Sequence, residues 1–173
     1  MLFRVLTIVT LLFILATSCA LSQKAPIPPP DFDIMSLVGE WEGEGFFLIP
    51  VTGIEVEIEG SGTFIYDSTR QRLRTAMSGS KLFINYSDSG YLQYYPETDS
   101  VSWEIWDSWG KHAIYWGVIS DGALRADRLY KKKGYRVEAV FPHKDTLDFH
   151  LRVRDKDGSE KDKAAFLLWR KKD

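Results

Sequence analysis

Three histidines, one cysteine and an abundance of carboxylates are the side chains with which this sequence could do chemistry. His150 lies in Leu147-Asp148-Phe149-His150-Leu151-Arg152-Val153, where every second residue is apolar. On a strand it therefore shares the polar face with Asp148 and Arg152. His143 follows Pro142 in a turn, and His112 opens a strand. No histidine forms an obvious pair with an acid and a serine, the serines fall in turns, and there is no Gly-x-Ser-x-Gly elbow. The sequence thus predicts no catalytic residue. Two acidic stripes, Glu40/Glu42/Glu44 and Glu55/Glu57/Glu59, could in principle hold a hard cation. They read more simply as the wet faces of neighbouring strands, offset by basic residues near the C-terminus (Arg170, Lys172). Asp155-Lys156-Asp157-Gly158 hints at a calcium loop, but no Glu stands at the required spacing, so a charged hairpin turn is expected and no metal site.

Aromatic residues carry a stronger signal. They make up 14% of the chain, with six Trp, and Tyr86, Tyr91, Tyr94, Tyr95, Trp103, Trp106, Trp109, Tyr115 and Trp116 crowd together. Core packing and cross-strand pairs account for some of them. The others could line a cavity for an apolar or planar molecule, and Tyr94, Trp103, Tyr115 and Trp116 are the candidates. The glycines Gly43, Gly45, Gly60, Gly62 and Gly117 would leave room beside them, which predicts a modest apolar cavity open at one end.

The elements that position these residues are strands. From Val38 onward apolar and polar residues alternate, with turn signals every 8 to 12 residues. Strands are expected over 39–49, 54–66 (bent or bulged at Gly60-Ser61-Gly62), 72–77, 81–86, 91–95, 101–106, 112–119, 123–130, 135–141, 146–153 and 163–170. Asp88-Ser89-Gly90, Asp107-Ser108-Trp109-Gly110, Asp121-Gly122, Lys133-Gly134 and Asp157-Gly158 supply turn chemistry. The one helical candidate is a short piece at 31–37. The expected fold is all-β, an up-and-down antiparallel meander barrel of about 8–10 strands.

The first strand opens Gly39-Glu40-Trp41-Glu42-Gly43-Glu44-Gly45, a G-x-W-x-G-x-G motif. This resembles the start of calycin-type barrels. Lipocalins carry G-x-W there, and nitrobindin-like haem barrels carry the longer form. The resemblance implies that Trp41 plugs the closed end and that a basic residue late in the chain packs on it. Arg170 is the matching candidate and Arg152 its substitute. The middle of the chain, from Gly90-Tyr91 through Tyr94-Tyr95-Pro96 to Trp103, Trp106 and Gly110-Lys111, is similar to an uncharacterised bacterial lipocalin-like family. Nitrobindin-like barrels bind haem through a histidine, for which His112 is the candidate, yet the histidine pattern above favours solvent exposure and no cofactor is expected.

The N-terminal residues read as an address. Arg4 precedes an apolar run over 5–16 that is too short for a stable membrane span and ends in small residues. Leu15-Ala16-Thr17-Ser18-Cys19 resembles the lipobox of bacterial lipoproteins, with Ala16 where Leu is usual. The organisation expected is a signal peptide over 1–18, a lipidated Cys19 with a Pro-rich tether over 19–30, and a barrel over 31–173. This implies a lipid-anchored protein of the bacterial envelope. Ala20, in place of the Asp that retains enterobacterial lipoproteins, favours the outer membrane, and a soluble secreted protein is the alternative. Net charge −2 and pI about 5.9 argue against a nucleic-acid partner. The leading expectation is a non-catalytic module for a small apolar or amphipathic ligand. A haem protein or small-barrel enzyme, and a structural accessory with a filled barrel, are the alternatives.

Overall fold

The computed structural model describes residues 32–49, 52–81, 84–130 and 132–172. The expected signal peptide, Cys19 and tether lie outside them. Ten antiparallel strands form a closed meander: β1 (Gly39–Leu48), β2 (Glu55–Asp67), β3 (Arg72–Lys81), β4 (Ile84–Tyr95), β5 (Ser100–Asp107), β6 (His112–Ser120), β7 (Ala123–Tyr130), β8 (Lys133–His143), β9 (Thr146–Arg154) and β10 (Glu160–Arg170). Each strand pairs with its sequence neighbours, and β1 closes the barrel on β10 in a register that sets Trp41 opposite Arg170 and Gly45 opposite Phe166. Closure leaves no sheet edge to be protected.

Two expectations are corrected. Asp88-Ser89-Gly90 is no turn: β4 runs unbroken from Ile84 to Tyr95, so the separate strands expected at 81–86 and 91–95 are one. The residues there have turn composition, but the alternation Tyr86, Asp88, Gly90, Leu92 continues through them on the inner face, and register with β3 and β5 supplies the backbone hydrogen bonds. Nor does β2 break at Gly60-Ser61-Gly62, which remains paired on both sides. The expected helix over 31–37 is a 3-10 turn, Ile34–Leu37, capped by Asp33, whose Oδ1 accepts from the Met35 amide at 2.9 Å.

One end of the barrel is closed by this turn. Phe32 stacks on Phe141 with centroids 5.0 Å apart, Phe141 packs on Trp41 at 6.0 Å, and Leu37 is buried with them. The core continues up the lumen through Phe64, Trp103 and Phe149, whose rings meet at 6.4 and 5.9 Å. Thr75, the one buried polar residue of this core, accepts a hydrogen bond from Trp103 Nε1 at 3.3 Å. The opposite end, where β1, β3, β5, β7 and β9 finish, is the mouth.

Candidate functional site

Trp41 is 1% exposed, and its indole Nε1 donates to the Leu37 carbonyl at 2.8 Å. Arg170 lies over the ring, its guanidinium carbon 4.4 Å from the centroid. The same guanidinium donates to the carbonyls of Val38 at 2.6 Å and Ser36 at 2.7 Å, and to Asp145 at 3.3 Å. It thus satisfies carbonyls at the end of the 3-10 turn that no backbone partner reaches. Arg152 does not substitute for it. That side chain is on the outer wall, bonded to Glu138 and Asp162 in a charged lattice that includes Arg125 and His150.

The four cavity candidates are not brought together. Trp103 and Tyr115 are register partners and both buried in the lumen. Tyr94 faces inward near the closed end, where its hydroxyl donates to Asp99 at 2.6 Å. Trp116 is a correction: it is 57% exposed on the outer wall, stacked on Tyr95, because it is the even-numbered neighbour of inward Tyr115. His112 is corrected likewise. It stacks on Trp106 at 4.9 Å and bonds Glu104 at 2.8 Å, both outside the barrel. His143 ends β8 exposed, and His150 bridges Asp148 and Asp162 on the outer wall. With no histidine facing the lumen, the residues present do not fit a haem ligated by histidine inside the barrel.

The glycines do not leave the lumen hollow. A Cβ at Gly60 would fall 2.9 Å from the Phe166 ring and one at Gly79 2.4 Å from Ile58 Cδ1, while one at Gly45 would meet the Ala165 carbonyl oxygen of β10 at 2.0 Å before the Phe166 ring at 2.7 Å. Phe166 and Ile58 therefore occupy the space those positions release. The expected modest apolar cavity open at one end is thus filled beside these glycines. The two pockets found are elsewhere: a groove of about 720 Å³ across the outer wall, between Glu42, Glu44, Glu59, Ser78 and Trp169, and a hollow of about 220 Å³ beside Arg128, Tyr135 and Arg136 at the mouth end. The acidic stripes border that outer groove. Only Glu44 and Glu59 are directly opposed, and the lysines that reach the stripes are Lys171 at Glu40 and Lys81 at Glu57, not Arg170 or Lys172.

Polar groups that face inward gather instead below the mouth. Tyr86 donates its hydroxyl to Asp88 Oδ2 at 2.9 Å, and both lie on the inner face of β4. Asp88 Oδ1 is buried with no hydrogen-bond partner among the described residues. Burial is the main reason that this carboxyl is pushed up to about 6; the Tyr86 hydroxyl and the Met77 backbone amide pull it partly back, and the neighbouring Asp107 carboxylate raises it. Burial likewise pushes the Tyr86 phenol upward, with Asp88 adding to the effect. Across the lumen, Tyr115 is raised by burial while Arg128, its neighbour on β7, pulls it back. Arg128 has no carboxylate within ion-pair distance among the described residues and lies over the Tyr130 ring at 4.8 Å.

A turn covers this cluster. Asp107 Oδ1 accepts from the Trp109 and Lys111 amides at 3.0 and 2.8 Å, which folds the β5–β6 turn inward. Trp109 then packs edge-on to Tyr86 at 5.2 Å and reaches Phe47 of β1 at 6.1 Å. The indole spans the mouth above Asp88. Sequence reasoning missed Asp88 by assigning it to a turn; it placed Asp107 at a turn, as found, but gave it no part beside Asp88. It also missed Arg128, although the alternation Leu124, Ala126, Arg128 puts it on the inner face.

No family model matches this sequence, and a search of curated proteins finds no match. Solved structures do resemble it in fold. Rv2717c from M. tuberculosis superposes with TM-score 0.59 at 17% identity, over 79% of this chain and 94% of that one. The phycobiliprotein lyase CPES from Guillardia theta gives 0.55 at 13% identity, over 80% and 90%. A DUF3598 protein of unknown function from Nostoc punctiforme gives 0.58 at 12% identity, and this chain spans about half of its length (53%). The shared feature is a ten-stranded antiparallel barrel of lipocalin-like type.

Proposed function

We propose that this protein is a non-catalytic binding module that holds the polar end of a small amphipathic molecule beneath Trp109. The observation that carries the reading is Asp88: a largely buried carboxyl with one oxygen unpartnered, set in an aromatic lumen below a single indole. An unsatisfied buried acceptor costs free energy that a ligand N–H or O–H would recover. Tyr86, Tyr115 and Arg128 offer further polar contacts, and aromatic walls suit an apolar body. Moving Trp109 aside opens the site, since the closed lumen is otherwise occupied by the chain's own side chains. That one fold neighbour is a phycobiliprotein lyase supports a ligand-handling role for barrels of this shape.

The filling of the glycine spaces by Phe166 and Ile58 favours a second reading, a structural barrel with no ligand. Native mass spectrometry of the protein purified from its own cells separates the two. The binding reading expects a small-molecule adduct that Asp88→Leu loses while retaining the fold. A bare protein, with no melting shift across a library of lipids and aromatic amines, would establish the structural reading.

The sequence reading of the N-terminus extends the proposal: the barrel is carried in a bacterial envelope by a lipid on Cys19. Cys19→Ser should release the protein from membranes or block its processing. Unchanged cleavage and membrane fractionation of that variant would refute the anchor.

A further inference from the structure

The two ends of the barrel present opposite surfaces. The four turns at the closed end, 68–71, 96–99, 121–122 and 144–145, contain no large apolar residue other than Pro96, although Met35 and Tyr66 lie exposed nearby. The mouth-end turns are different. Ile54 beside the β1–β2 turn is 58% exposed, Trp109 in the β5–β6 turn 44%, and Leu129 and Tyr130 at the β7–β8 turn 78% and 45%. Lysines accompany them: Lys111 lies over the Trp109 ring at 5.3 Å, and Lys132 and Lys133 follow Tyr130, Lys133 in an exposed ion pair with Asp155 at 3.8 Å that a lipid phosphate could exchange. Among the described residues, the β9–β10 turn is charged without an apolar tip.

We infer that the mouth rim docks on an anionic lipid surface, with Leu129, Tyr130, Trp109 and Ile54 entering the headgroup region and Lys111, Lys132 and Lys133 meeting lipid phosphates. Apolar tips and ammonium groups stand side by side in the β5–β6 and β7–β8 turns, and amphipathic aromatics beside lysines are the composition of a membrane interface. A protein partner would instead be matched by a contiguous apolar patch with charge depleted at its centre. The lysine placement matters because the β5–β6 and β7–β8 turns set Lys111, Lys132 and Lys133 against Asp107, a local excess of positive charge in a chain that is acidic as a whole, at −2. The inference does not depend on the ligand reading, though it would let an amphipathic molecule pass between bilayer and lumen.

The test uses the full chain with Cys19→Ser, so that no lipid is attached and a single engineered thiol can be labelled. Leu129→Cys carries an environment-sensitive fluorophore at the rim, and Thr69→Cys carries it at the closed end; both positions are exposed. Phosphatidylcholine vesicles with 30% phosphatidylglycerol should shift the rim label to the blue and leave the closed-end label unmoved. Lys132→Glu with Lys133→Glu should weaken that response more than tenfold. A rim label that does not respond, or two labels that respond alike, overturns the inference. So does a rim label that ignores vesicles and responds to a soluble envelope extract, which would assign the rim to a protein partner.

Discussion

Asp88 couples the candidate site to stability. Its carboxyl titrates at about 6 in the folded barrel against 3.8 when free, so the folded state holds the proton more tightly than the unfolded chain does. The sign follows: Asp88 costs nothing below pH 4, and its ionisation erodes stability as pH rises from about 4 to 6, after which the loss is constant. Asp88→Asn should therefore stabilise the barrel by about 2–3 kcal/mol at pH 8 and by little at pH 4. Denaturant unfolding at the two pH values checks this, and an equal effect at both would show that the carboxyl is not buried as described. Trp41 is the other decisive residue. Trp41→Ala should cost about 3–5 kcal/mol, the range for large aromatics in a core. Arg170→Lys should also destabilise, because one ammonium cannot both stack on the indole and serve Val38, Ser36 and Asp145. The Trp41–Arg170 pairing was legible in the sequence because a motif names it. The Asp88 cluster was not, since Ser87-Asp88-Ser89-Gly90 has the composition of a turn and only register with β3 and β5 makes it a strand.

At the scale of elements, Gly43, Gly45, Gly90 and Gly117 mark where strands approach too closely for any side chain, and the last two are the tightest. A Cβ at Gly117 of β6 would lie 1.8 Å from the Arg125 carbonyl oxygen of β7, and one at Gly90 of β4 the same 1.8 Å from that of Glu104 on β5. Both contacts are to backbone, which cannot rotate away. Gly117→Val or Gly90→Val should consequently push strand pairs apart and lower the melting temperature sharply. Gly110→Ala is a control of a different kind: its Cβ would meet nothing within 4 Å, and only its positive φ of 75° carries a cost, of about 1 kcal/mol. Thermal unfolding of the three variants ranks these costs, and a Gly117→Val barrel as stable as the parent would contradict the register of β6 on β7. Alternation in the sequence located most strands to within a few residues. It could not say which inner positions the lumen leaves empty, because Phe166 and Ile58 reach the glycines from other strands.

For the whole molecule, closure through β1 and β10 is the step that buries the core. Residues far apart in sequence must meet before Trp41, Leu168 and Phe141 are covered, so non-local pairing should make folding slow for a domain of this size. Ending the chain at Ser159 removes β10 and leaves β1 and β9 with open edges. The truncated protein should lose cooperative unfolding and self-associate, as size-exclusion chromatography would show. A monomeric truncation with a sharp transition would mean that the seam contributes little. The meander topology itself was readable from hairpin spacing and the absence of helical periods, whereas the distinction between a closed end and a mouth depended on contacts of the 3-10 turn that no local pattern encodes.

The placement of Phe32 against Phe141 fixes where the chain enters the barrel, and that entry is at the end away from the mouth. Residues 20–31 are the length available between Cys19 and this point, and a fully extended stretch of that size spans roughly 40 Å. The wall it would have to descend is shorter: the 11 residues of β8, tilted as barrel strands are, rise roughly 28 Å. The proposed lipid on Cys19 and the proposed seating of the rim on the same bilayer are thus compatible in length, like a mooring line long enough for its berth. Removing six linker residues leaves roughly 20 Å of reach, less than the wall's height. If the proposed anchor holds, such a shortened protein should stay with the membrane while its mouth is kept off it, and the rim label should lose its response.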